Sequence, residues 1–155
     1  MNKWDRRFMD LALQVKGWSK DPENQVGAVL VSPDRRQFAT GYNGFPAGFQ
    51  DETGLLIMSA ALDANLKFLK SGLAVHAEVN AVLNCHVRPN GWTMYSTRCP
   101  CLPCASTLVQ AGVNTLYCPG PEPKSSWYNS HKAAMQLLNF GVTPPIRVYI
   151  VEEEA

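Results

Sequence analysis

The 155-residue sequence predicts an α/β fold, a mixed and roughly five-stranded sheet between layers of helix. Three observations carry that expectation. Strand-like and helix-like patterns alternate through the second half, which calls for right-handed crossovers and parallel strands. Two short strand patterns near the N-terminus are close enough to form a hairpin, so part of the sheet must be antiparallel. Finally, hydrophobic residues make up 46% of the chain and charged ones 17%, a globular rather than a disordered composition. A chain of this length buries roughly 68–70% of its unfolded surface, so residues 1–155 are read as one domain.

The elements follow in order. Trp4, Phe8, Leu11 and Val15 recur at helical spacing, so residues 4–17 read as an amphipathic helix closed by Gly17. Residues 25–31 (QVGAVLV) are a buried strand, turned at Ser-Pro-Asp 32–34, with a hairpin partner at 38–42. Residues 43–54 carry three glycines and no period, and read as loop. Helices are expected at 55–69 and 77–84, then a strand at 92–97. A helix from about 102 to 111 stops at Gly112 and leads to a strand at 114–118 and a Pro/Gly loop at 119–123. A helix over 127–140 and a strand over 146–151 complete the pattern, and the final Glu-Glu-Glu-Ala reads as a solvated tail.

Fourteen basic and thirteen acidic residues give a net charge of +1, which lacks the basic footprint of a protein for long nucleic acid. No apolar run approaches the ~20 residues that span a bilayer, so no membrane partner is expected. The first ten residues alternate charged and aromatic side chains without an apolar core, unlike an export signal. Five cysteines, three of them within residues 99–104, make a poor disulfide framework and fit reduced thiols in a cytoplasm.

The chemistry concentrates in His76-Ala77-Glu78 and in Pro100-Cys101-Leu102-Pro103-Cys104. Cysteines at i and i+3 share a helix face, so both sulfurs reach one ion. Two soft thiolates with an imidazole suit zinc, and both segments open helices, where the dipole favours thiolate. Three protein ligands, His76, Cys101 and Cys104, leave the fourth position open, as catalytic zinc sites do. Two residues apart on a helix means about 200° of rotation, so Glu78 joins His76 at the metal only if His76 precedes the helix. Glu78 then reads as a proton carrier. Cys99 is the rival fourth ligand. Cys85 and Cys118 read as core or near-core thiols, and His86 and His131 as surface residues. The order His-x-Glu then Pro-Cys-x-x-Cys is the known signature of zinc nucleobase deaminases.

With those motifs the chain resembles the cytidine-deaminase superfamily, and within it the deoxycytidylate (dCMP) deaminase branch. The likeness includes Lys20-Asp21-Pro22-Glu23-Asn24-Gln25-Val26-Gly27-Ala28 and Gly41-Tyr42-Asn43-Gly44-Phe45-Pro46-Ala47-Gly48. It continues through His76-Ala77-Glu78-Val79-Asn80-Ala81. The resemblance implies a three-layer α/β/α fold and hydrolysis of dCMP to dUMP and ammonia. Zinc-held hydroxide would attack C4 while Glu78 shuttles protons. It also implies that Asn43 and Ala77 bind substrate, Asn43 at the sugar hydroxyl. Hexamers activated by dCTP with magnesium and inhibited by dTTP are a further implication, with Lys20, Asn24, Gly44 and Phe45 at the effector site. Arg88 and Arg98 are candidates for the substrate phosphate. Two departures stand out: the segment before His76 is short and free of cysteine and histidine, and Cys99 stands where a small residue such as serine is expected.

Other readings use the same residues. A superfamily enzyme could act on a free nucleoside, on guanine or on tRNA adenosine, the last needing a more basic surface. From a different class, a closed Cys3His site including Cys99 would make a non-catalytic zinc module.

Overall fold

The computed structural model describes residues 1–152, so Glu153 to Ala155 of the expected tail lie outside the described residues. Helix α1, Lys3–Lys16, starts at a capping box: Asn2 Oδ1 accepts from the Trp4 and Asp5 N–H groups at 2.8 and 3.0 Å, and Asp5 answers by accepting from Asn2 N–H at 3.2 Å. Its buried stripe is Asp5, Phe8, Met9, Ala12 and Val15, while Trp4 stays largely exposed.

The sheet follows as β1 (Gly27–Val31), β2 (Phe38–Tyr42), β3 (Thr93–Ser96), β4 (Thr115–Cys118) and β5 (Arg147–Ile150), in spatial order β2-β1-β3-β4-β5. β1 pairs antiparallel with β2 and β3, whereas β3–β4 and β4–β5 are parallel, which is the mixed sheet expected. All five β1 residues are buried because the strand is covered on both faces. Ala28 and Leu30 face a core with Ala81, Met94, Leu108, Leu116, Ala134 and Leu138. Val29 and Val31 face Phe8, Met9 and Ala12 of α1. The layers are therefore α1, the sheet, and a helical layer of α4 (Ala77–Leu83), α5 (Leu102–Ala111) and α6 (Tyr128–Gln136). A π-helical turn, Leu137–Gly141, extends α6.

Two glycines let the layers touch. A Cβ on Gly27 would collide with the α1 backbone at Ala12 and Lys16, and one on Gly41 with the α4 backbone at Ala77 and Ala81. α4 is also tied to the open edge of β2, where Asn80 and Asn84 Nδ2 donate to the Tyr42 and Thr40 carbonyls at 2.8 and 2.9 Å. These bonds satisfy edge carbonyls that would otherwise be free to pair with another chain.

One expectation needs correcting. The single helix over 55–69 is two, α2 (Asp51–Leu62) and α3 (Leu66–Leu73), and α2 begins inside the segment read as loop. Asp63 adopts a left-handed φ of 48°, which ends α2, and Asn65 then caps α3 through the Lys67 and Phe68 N–H groups. Leucines and alanines on both sides hid that break. The strand over 38–42 and the helix over 102–111 keep their expected bounds, and the other boundaries shift by at most four residues.

Candidate active site and metal centre

The metal motifs stand at two helix starts. His76 is the N-cap of α4 and Cys101 the N-cap of α5, both with extended backbone (ψ 155° and 168°), and Cys104 lies one turn into α5. Because His76 precedes the helix with extended backbone, helical rotation does not set it opposite Glu78, and the objection to their sharing a site disappears. An antiparallel bridge between Gly44 and Val75 anchors the approach to His76. At α5, Pro103 fits the first turn, where its missing N–H has no intrahelical acceptor to lose.

His76 Nδ1 lies 3.2 Å from Cys104 Sγ and 3.4 Å from Cys101 Sγ, and all three ligand atoms fall within 4.8 Å of one another. Donors sharing a tetrahedral zinc, with bonds of about 2.3 Å to sulfur and 2.0 Å to nitrogen, stand roughly 3.5 Å apart. The set therefore fits one zinc in both geometry and softness. Cys101 is drawn down to about 4, first by the hydrogen bond from the Cys104 thiol and then by His76. Cys104, the donor in that bond, is pushed up. The hydrogen bond between the two thus favours thiolate at Cys101, the form that metal binding requires.

Glu78 stands outside the three-donor cluster. It is 4% exposed, and its Oε1 accepts from Ser96 Oγ at 3.2 Å. Burial raises its carboxyl above the usual range, which suits a group that must hold and release a proton. Cys99 is buried but does not join the cluster, its sulfur lying 3.9 Å from the Pro100 carbonyl. Cys118 is buried and Cys85 half-buried, as expected of core thiols.

His131 corrects the reading of a surface residue. It is only 4% exposed on α6, its Nδ1 has no hydrogen-bond partner among the described residues, and desolvation lowers its pKa. Its polar neighbours Asn129 and Lys132 are exposed, whereas its own position on the helix is buried. His86 is exposed, as expected.

Asn43 is buried, and its amide is occupied by backbone: Oδ1 accepts from Val26 N–H at 2.7 Å and Nδ2 donates to the Asn24 carbonyl at 2.9 Å. One amide hydrogen and one lone pair remain for a ligand. Ala77 is fully buried and its N–H opens α4. Gly44 N–H is bound to the Val75 carbonyl, Phe45 packs edge-on against Phe49, and Lys20 faces Asp51 at 3.9 Å. Arg88 donates to the Gln110 carbonyl near the far end of α5, away from the metal motifs, whereas Arg98 lies beside them.

Two contributors were not foreseen. Trp127 sets its ring edge-on to His76, at 5.7 Å and 80°, and Ser130 Oγ accepts from Leu102 N–H at 3.0 Å, tying α6 to the start of α5. Both follow β4, and in open α/β sheets the segments beyond the carboxyl ends of parallel strands frame the site.

The family described as cytidine and deoxycytidylate deaminase zinc-binding region matches residues 2–119. The chain belongs to this family. Its relatives include an uncharacterized deaminase of the luxG 3′ region of Aliivibrio fischeri, 38% identical over 77% of this chain and 74% of that one. The deoxycytidylate deaminase of Mus musculus is 35% identical over 72% of this chain, and the aligned part spans 61% of the mouse protein. The chain thus spans less than two thirds of that relative's length. The dCMP deaminase of cyanophage S-TIM5, solved with dCMP and dUMP, shares the fold at a TM-score of 0.69, with 22% identity over 97% of this chain and 99% of that one. Among the described residues, no helix is long and apolar enough to cross a membrane.

Proposed function

We propose that the protein is a zinc-dependent deaminase that hydrolyses dCMP to dUMP and ammonia. The observation that carries this is a three-donor cluster with a buried carboxylate beside it and not in it. When bound there, zinc would lower the pKa of water towards ~7. Glu78 is the proton carrier: it holds a proton, delivers it to N3 of the ring, and serves the departing amine. Ser96 keeps that carboxyl in place. Asn43 and the Ala77 N–H orient the nucleotide, Asn43 with the hydrogen and lone pair its backbone bonds leave over. Trp127 walls the base against His76.

Zinc-loaded protein incubated with cytidine, deoxycytidine, CMP, dCMP and dCTP tests the reading through ammonia release. Fastest release from dCMP supports it, and no release from any of them ends it. The cobalt-substituted protein separates this reading from the closed Cys3His module, since two thiolate ligands and three differ in the visible spectrum.

The same reading includes control by dCTP with magnesium and by dTTP, at Lys20, Asn24, Gly44 and Phe45. Asn43 and Gly44 are adjacent, so an effector settling there would act on the substrate loop directly. Opposite shifts of the dCMP saturation curve by the two triphosphates support regulation, and superimposable curves remove it. A homo-oligomer, a hexamer by family likeness, completes the proposal. It is supported by the exposed apolar side chains Leu56, Ile57, Leu62 and Phe68 on α2 and α3 and is tested by light scattering.

A further inference from the structure

Arg98 is a half-buried residue with no acidic partner among the described residues. The one ion pair among the described residues is Lys20 with Asp51. An arginine without a carboxylate partner leaves most of its five N–H donors free for an anion. Among the described residues its side chain makes a single long bond, Nη2 to Asn24 Oδ1 at 3.4 Å, at the weak end of hydrogen-bond distances. Asn24 in turn receives the Asn43 amide on its carbonyl. Arg98 therefore stands between the loop that holds Asn43 and the ligand set, and its charge acts on both the His76 and His131 rings. Glu122 also acts on His131, from an exposed position and without pairing with Arg98. His131 itself is buried, its Nδ1 has no partner among the described residues, and desolvation lowers its pKa. The alternative cation, Arg88, is spent on the Gln110 carbonyl, nine residues along α5 from Cys101 and so roughly 13 Å away along the helix.

We infer that Arg98 binds the 5′-phosphate of the nucleotide substrate and so makes the protein prefer a nucleoside monophosphate to the free nucleoside. This rests on the proposed cytosine-nucleotide reading and deepens it. With the base amine at the metal and the sugar at Asn43, this assignment puts the phosphate beside Asn24, which is bonded to both Asn43 and Arg98. The long bond to Asn24 is readily exchanged for two charge-assisted bonds to phosphate oxygens, which the planar guanidinium forms in parallel.

Arg98→Gln and Arg98→Lys test the assignment in zinc-loaded protein. The ratio of kcat/KM for dCMP to that for deoxycytidine should fall by roughly 10- to 100-fold in Arg98→Gln, with partial recovery in Arg98→Lys. Calorimetry gives a readout without turnover: dUMP should lose its advantage over deoxyuridine in Arg98→Gln. A dCMP preference retained in that variant overturns the role of Arg98 and leaves the substrate reading standing. Wild-type protein that treats dCMP and deoxycytidine alike overturns both.

Discussion

The starts of α4 and α5 and the α2–α3 hairpin are neighbours in sequence order but opposites in construction. At the metal end, backbone meets backbone at Gly41, Asn80 and Asn84 bind the β2 edge, and Ser130 closes the start of α5. The hairpin buries Leu55 and Leu69 but leaves Leu56, Ile57, Leu62 and Phe68 exposed, although α2 is apolar around most of its surface. Groups that must meet within a few ångströms are held by elements with many short contacts. A segment with few contacts to the rest of the chain keeps an apolar surface that its own fold does not cover.

Breaking the rigid end should have the largest effect. Cys101→Ala removes the thiolate that ties the two helix starts together, so zinc should fall from about one per chain to near none, with loss of turnover, as read by elemental analysis. Glu78→Gln should keep its zinc and lose roughly 10²–10⁴-fold in kcat, since the amide cannot carry the proton. Loss of zinc in that variant would make Glu78 a ligand and refute the open site. Gly41→Val forces side-chain atoms into the α4 backbone, and chemical denaturation should show a loss of about 1–3 kcal/mol or more. The smallest effect belongs to the hairpin. Phe68→Ser, at a position 72% exposed, should change the stability of a single chain by no more than about 0.5 kcal/mol. The same change should lower the mass in solution if that face joins copies of the chain; unchanged mass would assign the surface elsewhere.

A second contrast lies across the sheet. On the α1 face, Tyr95, Tyr117 and Tyr149 stack at 5.0 and 4.7 Å, and the buried Asp5 carboxylate accepts from the Tyr95 and Tyr117 hydroxyls at 2.8 and 3.0 Å. Burial and the adjacent carboxylate push both phenols up, Tyr117 to about 12, so this network keeps its protons. Its carboxylate is closed off by donors on its own side of the sheet. Glu78 has one neighbouring hydroxyl and faces the ligand cluster instead, which is why two buried acids in one chain differ in use.

The sequence by itself determined the order and kind of most elements and singled out the three donors that cluster, together with the carboxylate beside them. Those features are local: the Cys-x-x-Cys spacing shares a helix face, Gly112 stops α5 in a left-handed turn at φ 89°, and alternation within β1 follows from strand geometry. Tertiary structure decided what depends on residues far apart in the chain. It brought His76 to within 3.4 Å of a cysteine 25 positions away, through the packing of α4 and α5 on a shared core. It buried His131, placed Trp127 against His76, and separated Arg98 from Arg88. It also divided one apolar stretch into α2 and α3, because a left-handed Asp63 and a capping Asn65 outweighed the continuous hydrophobic pattern. A side chain's chemistry is written in its type, but its solvent and partners are set by whatever the fold lays over it.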